Sequence, residues 1–241
     1  MISTKFSTIV LVILLLAGAG FAADRLRSNN DVDTEAPKAQ EATDSGRVVA
    51  TIGDETITLA QLDKQVDRLV ALGAIAPLEG AAEEQLPIKQ AVLNQMIAER
   101  LLLGDARGKG ISVSEEDFLA KQEVVREQAA ANDQEASFED FLAAQGLSPE
   151  EFRQALHDQL VLEAYLDDVK IQHGVHVSDE AVRQIYDEEF ASKSVDGAGE
   201  SIKFEDVAVH IRAKLEEEQL AQLLPALIDQ LTETANVRVS L

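Results

Sequence analysis

The sequence contains no cysteine and no tryptophan, only two methionines, and few aromatic residues, 4% in all. Without cysteine there is no disulfide framework, no thiol nucleophile, no lipid-modified cysteine and no cysteine metal site. Stability has to come from packing. With two methionines, the pliable Met-lined surface of some promiscuous binders is missing as well. Cations are scarce: 21 Lys and Arg stand against 44 Asp and Glu, a formal net charge of −23. Such a balance repels nucleic acid and anionic lipid and argues against both as partners. Catalytic signatures are also wanting. There is no G-x-S-x-G, and Gly104-Asp-Ala-Arg-Gly108 lacks the lysine and flanking strand of a phosphate loop. His173-Gly-Val-His176 brings two imidazoles close in sequence, but no third ligand completes a recognised signature. The acid pairs Glu115-Glu116 and Glu188-Glu189 fall at helix starts or ends, where capping and solvation account for them. No catalytic residue, cofactor or metal ligand is expected.

One long uncharged run is present. Lys5 precedes Phe6 to Ala23, whose centre, Ile9 to Leu16, is wholly apolar. A secretory core is about 7–15 residues long and a membrane span about 20. Ala17-Gly-Ala19 and Gly20-Phe-Ala22 offer cleavage sites, while Arg25 and Arg27 on the exported side disfavour an anchor in this orientation. Residues 1–23 therefore read as a signal peptide or a membrane anchor. Residues 24–46 are polar, without apolar periodicity, and read as a disordered linker.

The remaining residues, 47–241, carry the fold. Val48 to Thr58 puts β-branched residues on both sides of Gly53-Asp54, the pattern of a hairpin. Leu62, Val66, Leu69 and Val70 recur at helical spacing over 59–72, before a break from Gly73 to Gly80. A second helix is expected from Glu83 or Pro87 to Arg107. Ser114, Ser137, Ser148-Pro149 and Ser178 then open four more, with Ser114, Ser148 and Ser178 ahead of acidic first turns as capping signals. Phe204 to Thr234 reads as one long helix through Val207, Ile211, Leu215, Leu220, Leu223 and Leu227, bent at Pro225. Asn236 to Leu241 alternates like a strand, and the opening hairpin is the one obvious partner for it. The expected fold is mainly α, with a small sheet formed by the N-terminal hairpin and the C-terminal strand. Residues 204–241 return the chain to its start.

Three blocks resemble the SurA-type periplasmic chaperones and their parvulin relatives. They are Val48 to Thr58; Val92 to Leu103 with Ala106 and Gly110 to Ser114; and Ser148 to Phe152 through Val177 to Val182, Tyr186 to Glu189, Phe204 to Val207 and Ile211 to Leu215. In enzymes of that family a parvulin prolyl-isomerase domain precedes the last long helix. Here only Ala191 to Lys203 occupies that place, against the 50 or so residues a domain needs. The resemblance implies a chaperone module without its isomerase. Its expected partners are unfolded or nascent exported proteins, such as those of outer-membrane assembly. Its expected location is the periplasm of a Gram-negative bacterium, with inner-membrane anchoring if residues 1–23 are retained. A scaffold subunit dedicated to one envelope partner is the alternative, and a prolyl isomerase a disfavoured one. Phe118, Phe138, Phe141 and Phe152, in or beside adjacent helices, are the candidate client-binding residues. Ordinary core packing is the competing role for each.

Overall fold

The computed structural model describes residues 46–78, 82–132, 137–190 and 202–241. The expected signal peptide or anchor, nearly all of the expected linker and the expected loop from Ser192 to Glu200 lie outside the described residues. Strand β1, Val48–Ile52, is followed by β2, Glu55–Thr58, and then by helices α1, Leu59–Ala71, and α2, Ala82–Gly108. Next come α3, Glu115–Asn132, α4, Phe138–Ala144, and α5, Pro149–Gln172. Helices α6, Asp179–Glu189, and α7, Phe204–Thr234, precede the terminal strand β3, Arg238–Val239. The protein is mainly helical, with one small sheet. Among the described residues no helix is long and apolar enough to cross a membrane.

The sheet has the order β2-β1-β3, antiparallel throughout. Gly53 has φ +57. A positive φ at the first central residue of a two-residue loop is the II′ arrangement, whose twist matches the flanking strands. The irregular register between Val48 and Ala50 lets the adjacent Val49 and Ala50 both be buried, which strict alternation would forbid. On the other edge of β1, Ala50 pairs with Val239 and Thr51 with Arg238, as the alternating C-terminal pattern predicts. The Ser240 N–H donates to the Val49 carbonyl at 2.9 Å, and the Gly53 N–H to the Ala235 carbonyl at 2.8 Å. Asn236, at φ +53, ends α7 in the left-handed region that asparagine tolerates and turns the chain into β3.

Helix starts follow their caps. Thr58 and Gln61 form a reciprocal capping box on α1, and Ser137 and Asp140 form one on α4. Ser148 and Glu151 do the same for α5, with the Glu151 carboxylate accepting the Ser148 N–H at 2.9 Å. Ser178 caps α6 by accepting the Ala181 N–H. Helix α2 starts ahead of Pro87, so this proline lies inside the helix, not at its first position. In α7 the buried residues are Ile211, Leu220, Leu224 and Ile228, whereas Leu223 and Leu227 are half-buried. After Leu220 the inward row follows the i+4 steps, one residue on from the periodicity read in the sequence.

By its internal contacts the chain divides into two compact units. The first comprises residues 46–165 and Ile228–Leu241. Its interior is filled by Val49 and Ile57 of the sheet, Leu62 and Val66 of α1, and Leu93, Ile97, Leu101 and Leu102 of α2. Tyr165 of α5 is fully buried, and its hydroxyl donates to the Asp105 carboxylate at 2.7 Å. Lys109 lies over the Tyr165 ring, 4.9 Å from its centroid, and pairs with Asp105 at 3.0 Å. Glu55 of β2 binds both Arg100 and Arg107 of α2, at 2.8 and 3.1 Å, which ties the hairpin to the helix. The Arg100 hydrogen bond is the main reason its carboxyl is held below the usual range. The second unit, Leu166–Leu227, packs Val177, Val182 and Ile211 against Tyr186 and Phe204, which meet edge to face at 5.4 Å. The Tyr186 hydroxyl donates to the Ile202 carbonyl at 2.6 Å, and Arg212 donates to the Val177 carbonyl and pairs with Asp179.

Deleting Asn236 to Leu241 strips β1 of its outer partner. The melting temperature is expected to fall by several degrees, at roughly 2–4 °C per kcal/mol for a chain of this size. Differential scanning calorimetry of the truncated and full chains measures it, and an unchanged midpoint would show that the pairing contributes nothing.

Candidate functional site

Helices α3, α4 and α5 bring the four candidate phenylalanines into one apolar cluster in the first unit. Phe118 of α3 and Phe152 of α5 lie in its buried part with Val125, Leu142 and Leu156. Phe138 and Phe141 of α4 are partly buried against it, beside Val113, Leu147 and Leu160. Phe138 stacks on Phe141 at a centroid distance of 6.0 Å and meets Phe152 edge to face at 5.3 Å. Both contacts fall in the range favoured by the ring quadrupole.

The rings do not all face water. The guanidinium of Arg153 covers Phe118 at 5.0 Å, and that of Arg126 covers Phe138 at 5.2 Å. These are cation–π contacts made within the chain. Phe118 also has His157 beside it, with 6.5 Å between ring centroids. Phe118 and Phe152 thus work as core residues. Phe141 is half-buried and, among the described residues, has no cation over its ring. Apolar periodicity identifies the inward face of a helix, but it does not say which rings a neighbouring arginine will cover.

A band of charge runs beside this cluster. Lys64 of α1 pairs with Glu151 of α5. The Lys64 hydrogen bond, joined by those from Ser148, lowers the Glu151 carboxyl to about 2. Glu99 of α2 moves the other way. Burial raises its carboxyl above the usual range and the nearby Asp158 adds to this, while Arg100 and Arg68 oppose it. Arg68 is itself lowered, chiefly by burial. The two acids have opposite linkage. A depressed carboxyl such as Glu151 stabilises the fold above its ordinary range, and that contribution is lost as the pH falls toward 2; the raised Glu99 costs stability as the pH rises through and above the ordinary range.

The sequence reading passed over exposed apolar residues outside the phenylalanines. Ile171 is 80% exposed and Val209 74%, with Leu119 and Leu86 near half. Hydrophobic runs hide such residues, because a lone apolar position on a polar helix face leaves the periodicity intact. His173 and His176 are exposed, and among the described residues no three His, Asp or Glu converge as a metal site would require.

Comparison with known families gives one match. The family described as SurA-like N-terminal domain matches residues 2–166. The match ends within a residue of Tyr165, where the first unit's leading segment also ends. It takes in the sheet's β1 and β2, helices α1–α4 and most of α5, and stops before the resembling segments at Val177 to Leu215. No curated protein matches the chain.

Two outcomes are expected here. Phe118→Ala should cost about 3–5 kcal/mol, as for a buried ring, whereas Phe141→Ala should cost distinctly less. Urea titration of both variants compares them, and equal losses would place Phe141 in the core. Glu151→Gln keeps a capping side chain but loses the charge that pairs with Lys64. Because both side chains are largely in water, the loss should stay within about 1 kcal/mol at neutral pH. It should disappear as the pH falls through the ordinary carboxylate range toward 2, and melting curves across that range would show it.

Proposed function

The chain belongs to the SurA-like N-terminal domain family, and from this we propose that it is a holding chaperone of the bacterial envelope. It binds unfolded or partly folded exported proteins without catalysis and without a nucleotide. The observation that carries this reading is the family match over residues 2–166, since a chaperone-type module is what that family suggests. The signal-like residues 1–23 support export to the periplasm, with anchoring in the inner membrane if they are retained.

Holding needs apolar surface within reach of a client. Phe141, with the uncovered margin of Phe138, is the part of the aromatic cluster that a client can touch. Phe118 and Phe152 support that margin from below. Client release follows from the client's own folding, which removes the apolar segments from reach. In this reading prolyl isomerisation is no part of the activity; the short run 190–203 between α6 and α7, too few residues for an isomerase domain at that place, supports it.

The test uses the chain without residues 1–23. At stoichiometric amounts and without ATP, it should suppress light scattering from a chemically denatured exported protein diluted into buffer. The same protein should leave proline-limited refolding at its uncatalysed pace of tens to hundreds of seconds. Undiminished aggregation at a several-fold excess would sink the chaperone reading. Refolding that speeds up in proportion to added protein would make it an isomerase instead. Crosslinking in the native envelope that returns one protein and no others would favour a dedicated scaffold.

A further inference from the structure

Three helices of the first unit bring charge together at the margin of their shared core. Glu99 of α2 is half-buried, and the buried Leu102 and Leu103 follow it by three and four residues. Asp158 of α5 is half-buried too, and the buried Val161 and Leu162 follow it at the same spacing. Positions three and four apart share a helix face, so both carboxylates sit on faces that turn inward. Arg68 of α1, half-buried next to the buried Leu69, is the third member. Arg68 and Asp158 both act on Glu99, with opposite sign.

The cations around Glu99 have other duties. Arg100, next to it on α2, binds Glu55 at 2.8 Å, and Lys64 of α1 binds Glu151 of α5. Arg68 is drawn to Glu151 as well as to Glu99. Asp158 is held in place by a neutral partner, the Gln154 amide, which donates to its two oxygens at 2.9 and 3.0 Å, and His157 lies 3.8 Å from it. Glu99 and Asp158 therefore repel each other between α2 and α5, and a guanidinium shared with Glu151 is left to offset this. A proton on Glu99 removes the repulsion and the cost of keeping a charge half-buried in one step.

We propose that this cluster is a proton-operated latch: with a proton on Glu99, α1, α2 and α5 hold together firmly, and when Glu99 is ionised the contact between α2 and α5 slackens. The sign follows from the raised carboxyl. Below the ordinary carboxylate range Glu99 is protonated in the folded and unfolded chain alike and costs nothing. As the pH rises through that range the unfolded chain releases the proton first, and the cost grows until the folded chain has released it too. Glu151 moves oppositely, since its bond to Lys64 persists until the pH nears 2. In mild acid both contacts between the helices are therefore made at once, and toward higher pH the Glu99 contact is the one that loosens. Phe152 and Leu156 of the aromatic cluster ride on the same helix as Asp158, so the firmness of that cluster follows the latch.

Melting of the full chain and of its Glu99→Gln variant between about pH 3 and pH 9 tests this, glutamine imitating the protonated acid. The variant should melt a few degrees above the parent at the alkaline end, and the two should converge as the pH falls below the usual carboxylate value of about 4.3. An NMR titration of the Glu99 carboxyl carbon should show a midpoint above that value. Asp158→Asn should bring the midpoint down and Arg68→Gln should push it up, while His157→Gln should leave it raised, which separates the carboxyl's proton from the imidazole's. Amide exchange at Leu156 and Val161, corrected for its intrinsic rise with pH, should quicken toward alkaline pH in the parent and not in Glu99→Gln. A Glu99 midpoint within the usual range, melting curves that run parallel at every pH, or the same exchange in both chains overturns the latch. Should Glu99→Gln not fold, the parent's carboxyl midpoint and its fall in Asp158→Asn decide the matter. None of these outcomes bears on whether the chain holds clients, so the latch and the chaperone reading stand or fall separately.

Discussion

The first unit depends on β1 being the middle strand. Its two edges are claimed by segments from opposite ends of the fold, β2 directly after it and β3 at the C-terminus. A two-stranded ribbon alone is marginal in water. The third strand and the packing of α1 and α2 on the sheet make it durable. Because no cysteine is available to staple the ends, hydrogen bonds from Ser240 and Gly53 and the burial of Val49 and Ile57 hold that closure. Helix α7 leads into β3: its residues up to Leu227 belong to the second unit, and those from Ile228 belong to the first, whose sheet β3 completes.

Charge in this protein is arranged at two levels. Locally, acids are where helices want them: in the first turns of α3 to α7, near the positive end of the helix dipole, and beside serine caps in α3 to α6. Such acids stabilise the element that carries them. Across the whole chain the surplus of acid is not neutralised, and the few cations go to specific duties. Arg100 and Arg107 hold Glu55, Lys64 holds Glu151, and Arg126 and Arg153 lie over aromatic rings. What remains on the surface is mostly negative. Glu99 is the acid placed against this economy, half-buried among charges of both signs with a carboxyl that resists ionisation.

Much of the fold was legible in the sequence because it is written in short-range chemistry. The capping serines at 114, 137, 148 and 178 need only three or four following residues to act, and each helix begins where its serine says. The hairpin at Gly53 is equally local. The C-terminal strand was legible for a different reason: a β-branched segment in a helical chain has few places to go. Less legible was anything decided by a neighbour. The sequence offered the four phenylalanines as client-binding residues with core packing as the competing role, without separating Phe118, beneath Arg153, from the half-buried Phe141. It placed the inner row of α7 on Leu223 and Leu227, where packing chose Leu224 and Ile228. Nor does any run of residues announce that contacts divide near Tyr165, since α5 continues through that point without a break.

The pairing of Ala50 with Val239 joins residues from nearly the whole span of the described chain, with the second unit's residues lying between them in sequence. During synthesis the N-terminal residues emerge first. The hairpin and α1 to α5 are available early, but β1 keeps a bare edge until Arg238 and Val239 arrive. The second unit, being continuous from Leu166 to Leu227, has no such wait. The order of completion is thus built into the connectivity: the inserted unit can close while the enclosing one is still open, and β3, which follows it in sequence, is the strand that seals it.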